Sequence, residues 1–304
     1  MAMGGYLLAH PQSDIQYTID NPGLLNHKLH NQYGATYGNL LPGVKSGGAG
    51  YARNYRDKNF SLHAQYIDYG DMRSFDAGGN ELGTITANEI KFTLGYSQEI
   101  NKRLTLGVQA GFVYSVLGPY VSTGVFSSLG LHYNRADTSF QVGFVVKNMG
   151  YQTIVYKQGE QEPMPFDVQI GASYKPLHMP FRFQAVLHTL QRWDLTYDQY
   201  ITSGQVDLSG NTVNKEEANF IQKGLRHLVV GGELVLGKHL GIMFGYNHQR
   251  RMEMAPEARP GVAGFGFGVR IKVWKYHLTY GSASIFPGMN TNMFSLSLIP
   301  SFYK

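Results

Sequence analysis

The chain has 304 residues, a net charge of +5 and only 15% charged residues, and it contains no cysteine. The missing cysteine excludes a disulfide scaffold, a cysteine-ligated zinc site and a thiol nucleophile, and because no Lys/Arg block is present we expect no nucleic-acid partner. The charged fraction is below the value of about 25% found in soluble domains, yet no apolar run reaches the roughly 18 residues that a transmembrane helix needs. A transmembrane β-barrel satisfies both conditions, because only alternate residues of its strands must be apolar.

The first 28 residues show no alternation of apolar and polar positions. Asn21-Pro22-Gly23-Leu24-Leu25 is typical of a turn followed by a short helical piece. Met1–Tyr6 lacks the charged and apolar regions of a signal peptide, so we expect that any export signal has been removed. The sequence therefore predicts an N-terminal segment, residues 1–28, packed in or under a barrel formed by residues 29–304.

From residue 29 onward, apolar and polar residues alternate as in amphipathic β-strands. About fourteen such segments follow one another, and an even number is typical of bacterial outer-membrane barrels. In chain order they cover residues 33–37, 49–55, 60–66, 90–96, 104–116, 121–133, 140–146, 166–174, 181–187, 228–236, 240–246, 265–271, 274–280 and 294–298.

The segment Leu104–Val116 shows the pattern most clearly. A strand of this length, tilted by about 45°, spans about 30 Å, which is the thickness of the hydrocarbon core of a bilayer. Its odd positions are small or polar apart from Val113, so we expect them to face a polar lumen. Its even positions are apolar, and the residues predicted to face lipid are Leu104, Leu106, Val108, Ala110, Phe112 and Tyr114.

The connections after even-numbered strands are short, whereas several after odd-numbered strands are long, at 70–88, 150–165, 189–222 and 248–262. Short periplasmic turns and long extracellular loops give this alternation, which predicts an outer-membrane location with both termini in the periplasm. A soluble β-sandwich or propeller is the alternative. A soluble barrel would point its apolar face inward, and fourteen strands enclose more space than those side chains fill.

No motif for catalysis or metal binding is apparent among the eleven histidines and the acidic residues. Asp68, Asp71, Asp76 and Glu81 do not have the ligand spacing of an EF-hand. We expect no catalytic residue, no cofactor and no metal. The alternative is a hydrolase with a Ser/His pair on the barrel wall, for example Ser61 with His63. Four histidines on polar strand positions are expected to form hydrogen bonds in the lumen, namely His63, His132, His188 and His277.

The loop from Thr189 to Gln222 contains the best candidates for binding. It carries Trp193, Asp194, Tyr197 and Tyr200, and tryptophan and tyrosine dominate the energetics of protein interfaces. We predict that these four residues bind a partner at the extracellular surface. The alternative is a loop that folds over the mouth of the barrel.

Several short motifs resemble a known family of outer-membrane proteins. Those that resemble the FadL-type family are Asn21-Pro22-Gly23-Leu24-Leu25, Lys147-Asn148-Met149-Gly150 and Pro165–Gly171. Those that resemble the PorV/PorQ proteins within that superfamily, which serve the type IX secretion system of Bacteroidetes, are Ala87-Asn88-Glu89, Pro163–Asp167, Pro180–Phe183 and Leu190–Leu195. The resemblance extends over nearly the whole chain.

This resemblance implies a fourteen-stranded FadL-like barrel in an attachment complex with PorV, the sortase PorU and a PorZ-like surface protein. That complex processes secreted cargo and joins it to anionic lipopolysaccharide. The implied role is a non-enzymatic anchor that contacts outer-membrane lipid and lipopolysaccharide and holds the PorZ-like protein. The alternative is a FadL-like transporter of hydrophobic small molecules, which predicts an apolar pocket near the N-terminal segment and a lateral strand kink.

Overall fold

The computed structural model describes residues 1–11, 14–157, 159, 161–196, 219–254 and 261–299. They form a closed barrel of fourteen antiparallel strands, in which each strand pairs with its neighbours in the chain and β1 closes on β14. The predicted all-β class and the predicted number of strands are confirmed.

The strands are β1 (Gln32–Leu41), β2 (Val44–Tyr55), β3 (Lys58–Phe75), β4 (Glu81–Asn101), β5 (Leu104–Leu117), β6 (Tyr120–Asn134), β7 (Phe140–Ile154), β8 (Asp167–Tyr174), β9 (Phe181–Leu187), β10 (Leu228–Leu236), β11 (Leu240–Asn247), β12 (Phe265–Val273), β13 (Tyr276–Phe286) and β14 (Met289–Leu298). Two short helices lie in the connections, α1 (Phe220–Arg226) before β10 and α2 (His248–Met254) before β12. The N-terminal segment contains three 3₁₀ turns, at Ile15–Ile19, Pro22–Leu24 and His27–Leu29. Within the described ranges, no helix has the length and apolar character required to span a membrane.

The two faces of the barrel wall differ in exposure as the alternation predicts. In β5, Leu106 and Phe112 are 45% and 49% exposed, whereas Thr105 and Gln109 are 8% and 3% exposed. The exposed side chains point away from the lumen, because successive residues of a strand face opposite sides. The same outward face of β5 carries the other residues predicted to face lipid, namely Leu104, Val108, Ala110 and Tyr114.

Aromatic side chains of neighbouring strands pair across this outer face. Their ring centroids lie 4.8 Å apart for Tyr33 and Tyr51, 5.2 Å for Phe92 and Phe112, and 4.8 Å for Tyr280 and Phe294. Each such pair contributes roughly 0.5–1.5 kcal/mol beyond the area it buries. These pairs help to fix the register of the strands.

The connection predicted at 70–88 is instead a continuation of β3 and β4, which makes that prediction wrong. The chain reverses in a tight turn, where the Asp76 carboxylate accepts hydrogen bonds from the backbone N–H groups of Gly78 and Asn80, each at 2.8 Å. Gly79 adopts a positive φ of 84°, a conformation that glycine takes without steric cost. Because the turn is stabilised by its own hydrogen bonds, β3 and β4 can remain paired up to the turn.

Several further boundaries differ from the sequence prediction, and β2 and β14, for example, begin earlier, at Val44 and Met289. Strand β7 continues to Ile154 rather than ending at Val146, after an irregularity where Asn148 has a φ of 55°. Trp274 lies in the turn between β12 and β13 with a φ of 53°, and not on a strand. Helix α1 begins at the end of the predicted loop 189–222 and continues to Arg226, and α2 lies within the predicted loop 248–262. A helical turn pairs some backbone groups within such a connection.

Candidate functional site

Residues 1–11 and 14–29 lie inside the barrel and are called the luminal plug. Met1 packs against Gly281 of β13, Leu8 against Gly143 of β7, and Ile15 against Gly50 of β2. The plug therefore contacts the inner wall on several sides. Both termini were predicted to be periplasmic; Met1 lies within the lumen, and residues 300–304 lie outside the described residues.

Glycines on the luminal face of the strands allow the backbone of the plug to approach the wall. A Cβ atom at Gly107 would collide with backbone atoms of Pro22, and one at Gly143 would collide with the carbonyl oxygen of Leu8. The same holds at Gly245, where the nearest atoms belong to the backbone of the plug. Only glycine permits such a close approach. Part of the high glycine content of the chain is thus explained by packing of the plug.

Buried amide side chains attach the plug to the wall. Asn21 Nδ2 donates to the carbonyl oxygens of Leu8 at 2.8 Å and of Leu131 at 3.1 Å. From the wall, Gln109 Nε2 donates to Thr18 O at 2.6 Å and Gln184 Nε2 donates to Tyr6 O at 2.7 Å. Buried polar groups are costly when they lack a partner, so these bonds fix the position of the plug.

A buried ionic cluster joins the plug to β10 and β12. The Glu233 carboxylate, 1% exposed, contacts His10 Nε2 at 3.2 Å and forms an ion pair with Arg270. Arg182 lies directly opposite Glu233 on β9 and is also buried. A second link is the ion pair between Lys147 Nζ and Asp20 Oδ1 at 3.1 Å. Because a buried charge requires a partner, the plug and the wall form one structural unit.

The luminal face of the strands was expected to border a polar lumen, but the plug occupies that space beside Gln109. Three of the four predicted histidines form hydrogen bonds: His63 with Thr18 at 2.9 Å, His132 with Gln141 at 3.2 Å, and His188 with Thr189 at 2.9 Å. His188 lies just beyond the end of β9, and His277 Nε2 is buried without a hydrogen-bond partner.

Two of the cavities in the lumen lie beside the plug and the loops. The first measures about 220 Å³ and is lined by Glu89, Lys91, Ser122, Phe126, Tyr156 and Met164. The second measures about 180 Å³, and its more apolar lining includes Met1, Met3, Tyr6, Met243 and Met293. Neither has the size of a typical pocket for a drug-sized molecule, which begins at about 300 Å³.

The end of the barrel that carries the connections after odd-numbered strands is called the long-loop end. There, α1 and Trp193 form an exposed apolar area, called the loop surface, in which Phe220 is 73% exposed, Ile221 70% and Trp193 48%. Helix α1 begins with a capping box formed by Asn219 and Gln222, which satisfies backbone donors at its first turn.

Several contacts hold the loop surface in one arrangement. The Trp193 ring lies 4.9 Å from that of Phe220 and 5.4 Å from that of His227, and His227 Nε2 lies 3.0 Å from Trp193 O. Lys223 Nζ forms an ion pair with Asp194 Oδ2 at 2.6 Å. The hydrogen bond from Lys223, with a further one from the backbone of Thr196, holds the pKa of Asp194 below its usual range, so its carboxylate is charged at neutral pH.

Of the predicted partner-binding residues, Trp193 and Asp194 lie on or beside the loop surface, whereas Tyr197 and Tyr200 lie outside the described residues. Phe220 and Ile221 were not predicted from the sequence as binding residues. The signal that would have found them is Asn219 followed three residues later by Gln222, a pattern that marks the start of a helix. Within the described residues, no group of three or more His, Asp or Glu side chains has an arrangement suited to a metal ion.

Comparison with solved structures gives related barrels at low sequence identity. The chain is similar to the Pseudomonas putida toluene transporter TodX, with a TM-score of 0.56 and 12% identity, over 97% of this chain and 94% of that one. It is similar to a TodX monoaromatic hydrocarbon channel carrying the deltaS2 change, with a TM-score of 0.53 and 13% identity over 97% and 95% of the two chains. A Pseudomonas aeruginosa FadL homologue gives a TM-score of 0.49 and 11% identity, over 97% and 95%. No family model and no curated protein matches the sequence.

At these identities the similarity to TodX concerns the fold alone. It extends over nearly the whole of both chains. The chain therefore has the architecture of an outer-membrane β-barrel, and the predicted FadL-like fold is confirmed.

Proposed function

We propose that this barrel is a non-enzymatic anchor in the outer membrane that holds a surface protein at its long-loop end. The observation that carries the proposal is the loop surface, an apolar area kept in a fixed arrangement above a plugged lumen. In this proposal the long loops are extracellular and the turns at the opposite end are periplasmic.

The composition of the loop surface supports a protein partner. Phe220 and Ile221 are on a helix in a loop, outside the strands that face lipid, and both are more than two-thirds exposed. Exposed apolar side chains grouped in this way are typical of interaction sites. Tryptophan, the residue at position 193, is among the residue types most enriched in interface hot spots. Lys223 and Arg226 supply a polar rim around it.

The contacts of the luminal plug support a holding role rather than transport. A route through the lumen would require the plug to leave Glu233, Gln109 and the glycine-lined wall. Opening would break a buried ion pair and several buried hydrogen bonds, each costly to lose. The barrel is therefore better suited to holding a partner in a fixed position than to conducting a solute.

The family resemblance suggests which partner this is. The motif Leu190–Leu195, similar to PorV/PorQ proteins, contains Trp193 of the loop surface. We propose that the partner is a PorZ-like protein of a type IX attachment complex that also contains PorU and PorV and joins cargo to lipopolysaccharide. Catalysis in such a complex would reside in those other subunits.

Changing Phe220→Ser together with Ile221→Ser is expected to reduce recovery of the PorZ-like protein with the tagged barrel by at least about tenfold. Loss of about 1.4 kcal/mol of interface energy is enough for that change. The measurement is quantitative mass spectrometry of complexes extracted from native membranes. The matched control is Leu177→Ser, since Leu177 is 74% exposed but lies in the turn between β8 and β9 at the opposite end. Equal recovery with both variants would rule out the loop surface as the docking site.

Transport of small hydrophobic molecules is the second candidate, favoured by two observations. The cavity of about 180 Å³ beside the plug has an apolar lining, and β7 pairs with β8 only as far as Lys147 and Asp167, although β7 continues to Ile154. The similar TodX barrels are a toluene transporter and a monoaromatic hydrocarbon channel. If the barrel transports toluene, toluene is expected to enter liposomes faster when the barrel is present than when it is absent. Phe220→Ser with Ile221→Ser is then expected to leave that rate unchanged.

A further inference from the structure

The hairpin of β3 and β4 extends beyond the rest of the wall at the long-loop end. Strand β3 pairs with β2 as far as Asp68, and β4 pairs with β5 only from Ala87 onward. Between these points, residues 71–75 pair only with residues 81–86. This part, residues 71–86, is called the hairpin tip. In the structure as described, neither of its strands has a second neighbouring strand.

Such a ribbon lacks the support that strands usually receive. A two-stranded hairpin is marginally stable on its own in water. The tip also leaves large apolar side chains in solvent, with Phe75 54% exposed and Leu82 68% exposed. An unpaired strand edge with apolar side chains is a ready template for another strand.

The direction of the backbone at the edge of β4 follows from one hydrogen bond. Gly118 N donates to Thr86 O at 2.9 Å, so the backbone groups of Thr86 point away from β3. In an antiparallel pair, the backbone groups of alternate residues point to the same side. The register is regular from Thr86 to Gly83. The N–H and C=O of Thr84 therefore also point outward, beyond the turn at Gly118-Pro119.

The two edges of the hairpin tip differ in protection. Proteins guard exposed edges with charged residues or proline. The β3 edge carries Asp71 and Arg73, whereas Leu82-Gly83-Thr84-Ile85-Thr86 on β4 contains neither a charged residue nor proline. The turn joining β5 to β6 reaches Thr86 and Ile85 through Gly118, whereas Leu82, Gly83 and Thr84 are exposed. The β4 edge is thus the one suited to pairing.

We infer that an extended segment of the surface partner pairs with the outer edge of β4 along residues 82–84, beyond the contact of Gly118 with Thr86. This inference rests on the proposed function and adds the way in which the partner is held. The hairpin tip contains Asp71, Asp76 and Glu81 against a single cation, Arg73. A negative tip favours a partner segment flanked by Lys or Arg, because opposite charges steer association and suppress wrong partners.

The test uses the full-length barrel in nanodiscs and a fluorescent peptide, KKVTVTVKK, as the probe. The peptide is expected to bind and to slow hydrogen exchange in the fragment 81–86. Thr84→Pro is expected to weaken binding at least about tenfold, because proline removes the outward N–H. It leaves the pairing with β3 intact, since proline is tolerated where a strand's N–H faces solvent. Thr84→Val keeps the N–H and serves as the matched control.

Equal affinity for Thr84→Pro and Thr84→Val would overturn the inference, as would the absence of binding up to about 1 mM peptide. Equal affinity for an acidic counterpart, EEVTVTVEE, would overturn the assignment of a basic partner segment. Protection of 81–86 that arises from self-association of the barrel, without added peptide, would also overturn it. If Thr84→Pro proves unfolded, the exchange measurement on the parent barrel decides alone.

These outcomes separate the inference from the proposed function. Phe220→Ser with Ile221→Ser is expected to leave peptide binding unchanged, because the loop surface is formed by α1 and Trp193. Loss of the PorZ-like protein in that variant, combined with a peptide that does not bind, would preserve the proposed function and reject only strand pairing.

Discussion

Replacing Glu233 with alanine is expected to lower the free energy of unfolding by about 3–5 kcal/mol, the usual cost of breaking a buried ion pair. The carboxylate is 1% exposed and lies between His10 of the luminal plug and Arg270 of β12, with Arg182 opposite. Removal of the carboxylate leaves the buried guanidinium groups of Arg182 and Arg270 without this negative charge, in a site closed to water. Urea unfolding in detergent micelles, followed by tryptophan fluorescence, measures the change.

The control is an ion pair of the same kind at the surface. Asp137 Oδ2 lies 3.6 Å from Arg135 Nε in the turn between β6 and β7, and the two side chains are 36% and 60% exposed. Arg135→Ala is expected to cost less than about 1 kcal/mol, because solvent screens such pairs and the hydrogen bonds from Ser139 to Asp137 remain in place. A similar cost for Glu233→Ala would show that the plug is not held by a buried ionic cluster.

Replacing Gly107 with leucine is expected to displace the luminal plug. The added Cβ would collide with backbone atoms of Pro22, and no side-chain rotation can relieve such a contact. Overpacking costs typically about 1–3 kcal/mol, and here the least costly relief is movement of the plug away from the wall. The expected results are a lower free energy of unfolding and a conductance across planar bilayers that the parent barrel lacks.

Gly47→Leu provides the matched control for this substitution. Gly47 lies on the outward register of β2, where an added Cβ meets no atom closer than 3.6 Å. A leucine there is expected to leave both stability and conductance near the parent values. Equal behaviour of the two variants would mean that the glycines of the luminal face do not serve the plug.

The strands could be predicted from the sequence because their chemistry is local. In β5, the alternation of Leu106 and Phe112 with Thr105 and Gln109 reflects two environments that each residue meets directly. The number of strands and the lengths of the connections follow when the same apolar/polar alternation is traced along the chain. The even count and the alternation of short and long connections then indicate an outer-membrane barrel.

The contents of the lumen could not be predicted in this way. Gly107 and Gly143 fit a small, polar wall as well as they fit a wall in contact with a peptide backbone. The difference depends on Pro22 and Leu8, which are distant in sequence and show no periodicity of their own. The ion pair of Glu233 with Arg270 is likewise a contact between strands that carries no local signal.

The loop surface was found only in part for the same reason. Trp193 stood out by residue type, but its neighbours Phe220 and His227 come after a long interval of chain. The hairpin tip was taken for a loop because Asp76, Gly78 and Gly79 are typical turn residues. Those residues do form a turn, but the strands on either side of it reach much further than expected.

The proposed anchor requires the long-loop end of this barrel to lie on the cell surface. Because the chain contains no cysteine, single thiols can be introduced at Ile221 of the loop surface and at Leu177 of the opposite end, which are 70% and 74% exposed. In cells that lack the PorZ-like protein, so that the loop surface is uncovered, a membrane-impermeant maleimide is expected to label Ile221→Cys on intact cells and Leu177→Cys only after the outer membrane is permeabilised. Labelling of Leu177→Cys alone on intact cells, or of neither thiol until the cells are opened, would contradict the proposed role as a surface anchor.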